Sequence, residues 1–140
     1  LGDAQALLEI VSQKHRKITI VGRSLGTGIA VWLATQNKVE RLLLITPYDS
    51  ILNIACKKFP FLPVRWLLKD RYESIQWASR VSCPTKILAA DRDEIIPMQN
   101  TLALFEAFKP GMATMDVIQG TNHNSISDAP AFWKALAYVD

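Results

Sequence analysis

The sequence is poor in the residues that mark metal, disulfide-scaffold or membrane proteins. Of 140 residues only two are cysteine, Cys56 and Cys83, and only two are histidine, His15 and His123. The cysteines stand far apart with no metal-ligand spacing. That excludes a zinc ribbon or a disulfide framework and leaves either two ordinary thiols in a reduced compartment or one bridge between them. No apolar run reaches the roughly 18 residues of a transmembrane helix, and the N-terminus lacks a charged-then-apolar signal pattern. Charge of one sign is not concentrated either: 16 basic and 13 acidic residues leave +3, and the basic ones group only at Lys14-His15-Arg16-Lys17 and Lys57-Lys58. A nucleic-acid footprint would form a longer stripe, so these groups read as solvated element ends and no nucleic-acid partner is expected. The same absences point to a cytoplasmic protein. Because Leu1-Gly2-Asp3 enters a helical pattern at once without an initiator methionine, the chain is also expected to begin inside a longer protein, whose upstream part could carry a targeting or membrane segment.

What is present is a core. The chain is 49% hydrophobic and long enough for one domain. Ala4 to Ser12 has apolar residues at helical spacing. Ile18-Thr19-Ile20-Val21 and Arg41-Leu42-Leu43-Leu44-Ile45-Thr46 are apolar with little alternation, which suits strands covered on both faces of a parallel sheet. Pro84 to Ala90 and Thr114 to Ile118 give two further strands. Helical patterns over Gly26–Gln36, Pro97–Phe108 and Pro130–Tyr138 separate or follow them. Strand and helix therefore alternate, and the expected class is α/β, with a mostly parallel sheet flanked by helices. Residues 48–80 break this rhythm. Pro60 and Pro63 interrupt any long helix, short ones fit Ile51–Phe59, Val64–Lys69 and Ser74–Ser79, and Phe59, Phe61, Trp66, Tyr72 and Trp77 are aromatic. The segment reads as a small helical insertion that packs over the sheet end, caps a substrate pocket, or both.

One stretch organises the rest: Ile18 to Val21, then Gly22-Arg23-Ser24-Leu25-Gly26, then a helix. Gly-x-Ser-x-Gly between strand and helix reads as a nucleophile elbow, with Gly22 and Gly26 expected to let the two elements pass without a Cβ clash. Ser24 Oγ would project at the strand end, and Leu25 N–H would open the following helix where it can stabilise an oxyanion. By composition alone the bare pattern arises in roughly one chain in twenty of this length, so the flanking elements carry the argument.

Reactive groups of open α/β sheets gather beyond the carboxyl ends of the strands. Ser24 follows the first strand, Asp91-Arg92-Asp93 the third and His123 the fourth. In type, order and placement these resemble the Ser, Asp, His series of the α/β-hydrolase family. Ala89-Ala90-Asp91-Arg92-Asp93-Glu94-Ile95-Ile96-Pro97 is similar to that family's acid loop, and Gly120-Thr121-Asn122-His123-Asn124 to its histidine loop. On that resemblance Ser24 is the nucleophile, His123 the base and Asp93 the acid, Asp91 caps the loop and Glu94 faces solvent. Asp49, just past the second strand, is the competing acid, since some relatives carry theirs there. His15 is given no chemistry. Pro47-Tyr48-Asp49-Ser50, the Phe59–Pro63 turn, Leu67 to Ser74 and Cys83-Pro84 further resemble a bacterial branch related to acyl-protein thioesterase and lysophospholipase-like serine hydrolases.

The resemblance implies the C-terminal part of an α/β-hydrolase fold, the elbow strand and the three strands after it, acting on a small-molecule ester or acyl substrate without cofactor or metal. Peptidase or amidase action, acyl transfer, and a non-catalytic binding module on the same scaffold are the alternatives. The family's first four strands have no counterpart here, so the elbow strand is expected to be an exposed apolar edge, and the second oxyanion donor, taken from a loop after the third strand, has none either. An upstream half outside the sequence, a partner chain or second copy completing the sheet, and a non-catalytic remnant each account for this. The buried-type composition of the strand favours the first.

Overall fold

Four apolar runs become four parallel strands, β1 (Thr19–Arg23), β2 (Arg41–Ile45), β3 (Thr85–Ala90) and β4 (Ala113–Ile118), hydrogen-bonded in the order β1-β2-β3-β4. The computed structural model describes residues 1–58, 61 and 73–137. Helix α1 (Gly2–Lys14) precedes the sheet and α2 (Gly26–Gln36) joins β1 to β2. Helices α3 (Ile51–Lys58) and α4 (Ser74–Ala78) lie between β2 and β3, α5 (Met98–Ala107) joins β3 to β4, and a 3₁₀ turn (Ser125–Asp128) leads into α6 (Pro130–Leu136). The expected helix over Val64–Lys69, the Phe59–Pro63 turn apart from Phe61, and the aromatics Phe59, Trp66 and Tyr72 lie outside the described residues. Phe61 is exposed, and Trp77 packs on the core.

A sheet that grows in one direction through right-handed crossovers collects its connecting helices on one face. Here Leu8 of α1, Ala30, Val31 and Leu33 of α2, Ala78 of α4 and Leu104 of α5 pack against Leu42, Leu44 and Ile87. The alternate side chains Leu43, Ile45, Leu88 and Ala90 point to the opposite face, where Ile126 of the 3₁₀ turn and Phe132 of α6 meet them. This two-sided burial is why β2 reads as an unbroken apolar run: Leu42, Leu43 and Leu44 are all 0% exposed. The elbow strand differs. It forms the sheet edge, its outer side is unpaired among the described residues, and Val21 is 50% exposed.

The two elbow glycines are not equivalent. A Cβ on Gly22 would lie 2.7 Å from Ala30 Cβ and 2.8 Å from the Thr27 Cα, so α2 can cross β1 this closely only without a side chain there. A Cβ on Gly26 would meet nothing within 4 Å. The expectation that both flanking glycines relieve a clash therefore fails for Gly26: its carbonyl lies 2.9 Å from the Cβ position of Gly22, but its own Cβ direction is open. Both cysteines are free, which settles the choice between thiols and a bridge, and burial pushes the Cys83 thiol up. Among the described residues no helix is long and apolar enough to cross a membrane.

Candidate active site

Ser24 sits in the turn between β1 and α2 with φ +49°, a left-handed conformation that disfavours side chains by roughly 1–2 kcal/mol. The surroundings enforce it. Ser24 N–H donates to Ile45 O (2.9 Å), and Ser24 O accepts from Thr27 N–H (3.0 Å) and Thr27 Oγ1 (2.6 Å). Leu25 follows, and its N–H at the mouth of α2 has no partner among the described residues. Its carbonyl accepts from the buried Tyr48 hydroxyl (3.1 Å), which ties the elbow to the end of β2.

The loop after β4 delivers the imidazole. Gly120, at φ +74°, supplies a backbone turn that a side chain would oppose. Asn122 Oδ1 then accepts from Asn124 N–H (3.0 Å) and Ser125 N–H (2.9 Å), and so shapes the start of the 3₁₀ turn. From the opposite edge of the sheet, Arg23 Nη2 reaches the carbonyls of His123 (3.4 Å) and Asn124 (3.3 Å).

The loop after β3 brings the carboxylate. Asp93 Oδ1 accepts from Ile95 N–H (2.9 Å) and Ile96 N–H (2.8 Å), which leaves Oδ2 for His123 Nδ1 at 2.9 Å. His123 Nε2 lies 2.9 Å from Ser24 Oγ. An ionised carboxylate only accepts, so Nδ1 carries the ring proton, and Nε2 is the acceptor for the serine hydroxyl. Both side chains are largely withdrawn from water, at 10% exposure for His123 and 5% for Asp93. Such an array can take a proton from Ser24, hold the resulting imidazolium and return the proton elsewhere.

The remaining candidates fall apart from this chain of bonds. Asp91 does more than cap its own loop: its Oδ1 accepts from Thr121 N–H (3.0 Å), while Arg92 N–H donates to Thr121 O (2.9 Å), so it joins the loops after β3 and β4. Backbone donors at Gly120 and Thr121, with the Arg92 guanidinium beside it, hold the Asp91 carboxyl below the usual carboxylate range. Asp49 is buried among amides instead, bonded to Asn53 Nδ2 and Asn100 Nδ2 at 2.7 Å each. Glu94 is exposed, as is His15 beyond α1. Among the described residues no group of three or more His, Cys, Asp or Glu could hold a metal. Tyr48 and Arg23, which brace the site, were passed over in the sequence. Their only signal was position, at a strand end and inside the elbow.

Beside Ser24 lies a cavity of about 240 Å³ lined almost wholly by apolar groups, among them Leu25, Ile51, Ile54, Ile95 and Ile96.

No protein-family model matches the chain. An uncharacterized protein of Mycobacterium tuberculosis is 32% identical over 126 residues, covering 87% of this chain and 44% of the relative. The alpha/beta hydrolase domain-containing protein aho-3 of Caenorhabditis elegans is 29% identical, covering 99% of this chain and 42% of the relative. The solved monoacylglycerol lipase of Paleococcus ferrophilus superposes with a TM-score of 0.69 at 16% identity, over 98% of this chain and 73% of that one. The chain belongs to the α/β-hydrolase superfamily. Its four parallel strands with flanking helices are part of the α/β-hydrolase fold, and it spans less than half the length of these two curated relatives. In an α/β hydrolase the loops beyond the strand ends carry the chemistry, and those are the loops that hold Ser24, Asp93 and His123.

Proposed function

We propose that this chain carries the acid, base and nucleophile of a serine hydrolase that cleaves a carboxylic ester or thioester through an acyl-enzyme. The observation that carries the reading is His123, with Nε2 2.9 Å from Ser24 Oγ and Nδ1 2.9 Å from Asp93 Oδ2. Ser24 Oγ attacks the carbonyl carbon as its proton passes to His123 Nε2. Leu25 N–H donates to the developing oxyanion. His123 returns the proton to the leaving alcohol or thiol, and the carbon–oxygen or carbon–sulfur bond breaks. A water then gives its proton to His123 and attacks the acyl-serine carbon; His123 returns that proton to Ser24 Oγ as the acyl–Oγ bond breaks and the acid leaves, while Asp93 holds the ring and balances its charge throughout. The apolar cavity beside Ser24 supports an apolar acyl group as the substrate part that enters first.

The test is intact mass before and after exposure to a fluorophosphonate, on the full chain that the gene encodes, with Ser24→Ala as control. One adduct, lost in Ser24→Ala, is the expected result. A folded protein that takes no adduct would overturn the hydrolase reading and favour a binding module.

A further inference from the structure

Residues 46–50, immediately after β2, are buried throughout. A buried loop must place its polar groups, and this one does so in several directions. Thr46 N–H donates to Leu88 O (2.8 Å), Pro47 O accepts from Thr101 Oγ1 (2.8 Å) and Asp49 O accepts from Ile75 N–H (3.0 Å). Thr46 itself holds φ +46°, a conformation that a β-branched residue keeps only where the surroundings over-determine it. None of these groups takes part in the proton transfers at Ser24.

At the centre is Asp49, 5% exposed. Its Oδ2 accepts from Asn53 Nδ2 on α3 and its Oδ1 from Asn100 Nδ2 in the first turn of α5, both at 2.7 Å, the short separation of charge-assisted bonds. Of the two helices it joins, α3 lines the cavity beside Ser24 and α5 follows directly on a loop that lines it. Helix α3 supplies Ile51 and Ile54, and the loop that runs into α5 supplies Ile95 and Ile96. An asparagine at 49 puts an NH₂ group where one of the two carboxylate oxygens now accepts, so the donor facing that atom loses its acceptor.

We propose that Asp49 is a positioning residue that sets the width of the apolar cavity and thereby decides which acyl chains reach Ser24. This rests on the ester-hydrolase reading above, and it extends that reading to a residue that touches neither the serine nor the reacting carbonyl.

The experiment compares acetyl and decanoyl p-nitrophenyl esters on the full chain, in wild type, Asp49→Asn and Asn53→Ala. Asn53 is exposed on α3, so its variant opens one link and removes no buried side chain. The ratio of kcat/KM for decanoyl over acetyl ester should fall about tenfold in Asp49→Asn and about fivefold in Asn53→Ala, mainly through KM of the long ester. An equal loss on both esters, or a ratio unmoved in Asn53→Ala, would overturn the assignment, because a purely structural role lowers both alike. Fluorophosphonate labelling of the wild type keeps the two readings separate. If Ser24 is not labelled, the hydrolase reading falls, and binding of a dansylated undecanoic acid decides the positioning role. Affinity weakened about fivefold in Asn53→Ala sustains it, whereas unchanged affinity, or no binding by the wild type, rejects it.

Discussion

Asp93 and Asp49 each stand just past the C-terminal end of a parallel strand; the Asp93 side chain is 5% exposed, and Asp49 is 5% exposed as a whole residue. Each also has both carboxylate oxygens occupied. The difference lies in what fills the second one. In Asp93, two backbone amides from its own loop hold Oδ1, and Oδ2 is left for a ring that can gain or lose a proton. In Asp49 both oxygens end on side-chain amides, which do not titrate. On the roles proposed above, burial and hydrogen bonding are shared by a carboxylate that serves proton transfer, Asp93, and by one that serves architecture, Asp49. In that proposal the partner, not the burial, separates the two roles.

The comparison is tested most severely at the residues that Asp93 serves. Ser24→Ala and His123→Ala should each lower kcat/KM for an activated ester by about 10⁴-fold or more, read with p-nitrophenyl acetate. A folded variant with near wild-type turnover would remove the chemical meaning of the Asp93–His123 bond.

Asp93→Asn should come next, at about 10³- to 10⁴-fold in kcat. The new side chain has one oxygen, and the Ile95 and Ile96 amides claim it, so its NH₂ group faces His123 Nδ1. The ring must then accept at Nδ1 and protonate at Nε2, the wrong tautomer for taking a proton from serine. Asp49→Asn, by contrast, should leave the acetyl ester within about tenfold of wild type and lower folding stability by about 1–3 kcal/mol in urea melts, because a buried donor loses its acceptor. If Asp49→Asn proved the more damaging to kcat, the division of roles would be reversed.

The smallest effect is expected at Asp91, whose carboxylate joins the two loops from outside. Asp91→Asn should cost less than about tenfold in kcat/KM. Because its folded pKa is depressed, the stabilisation it provides is fully present above the ordinary carboxylate range and is lost as pH falls through the lower folded value. The stability gap between wild type and Asp91→Asn should therefore be widest near neutral pH and close in acid, as urea melts across that range would show. A gap that widened in acid would contradict the assigned sign.

Much of this was legible beforehand. The parallel sheet followed from Leu42-Leu43-Leu44, a run that makes sense only if both faces are covered, and Gly22 followed from the crossing of strand and helix. The loops carrying Ser24, Asp93 and His123 could be placed because short-range patterns mark strand ends. Gly26 misled, because the motif gives the residue but not the direction in which its Cβ would point. Asp49 remained ambiguous for a different reason: its donors Asn53 and Asn100 stand 4 and 51 residues away, and nothing local marks the second.

The sequence by itself determined the alternation of strands and helices, the strained serine turn and the order of the polar loops. Those depend on side-chain periodicity and on backbone preferences within a few residues. Only the tertiary structure decided which carboxylate meets the imidazole, that Thr46 shares the left-handed conformation of Ser24, and that Arg23 reaches the histidine loop. Each of these rests on groups brought within about 3 Å by the packing of separate elements, and a distance of that kind is fixed by the register of the sheet, not by spacing along the chain.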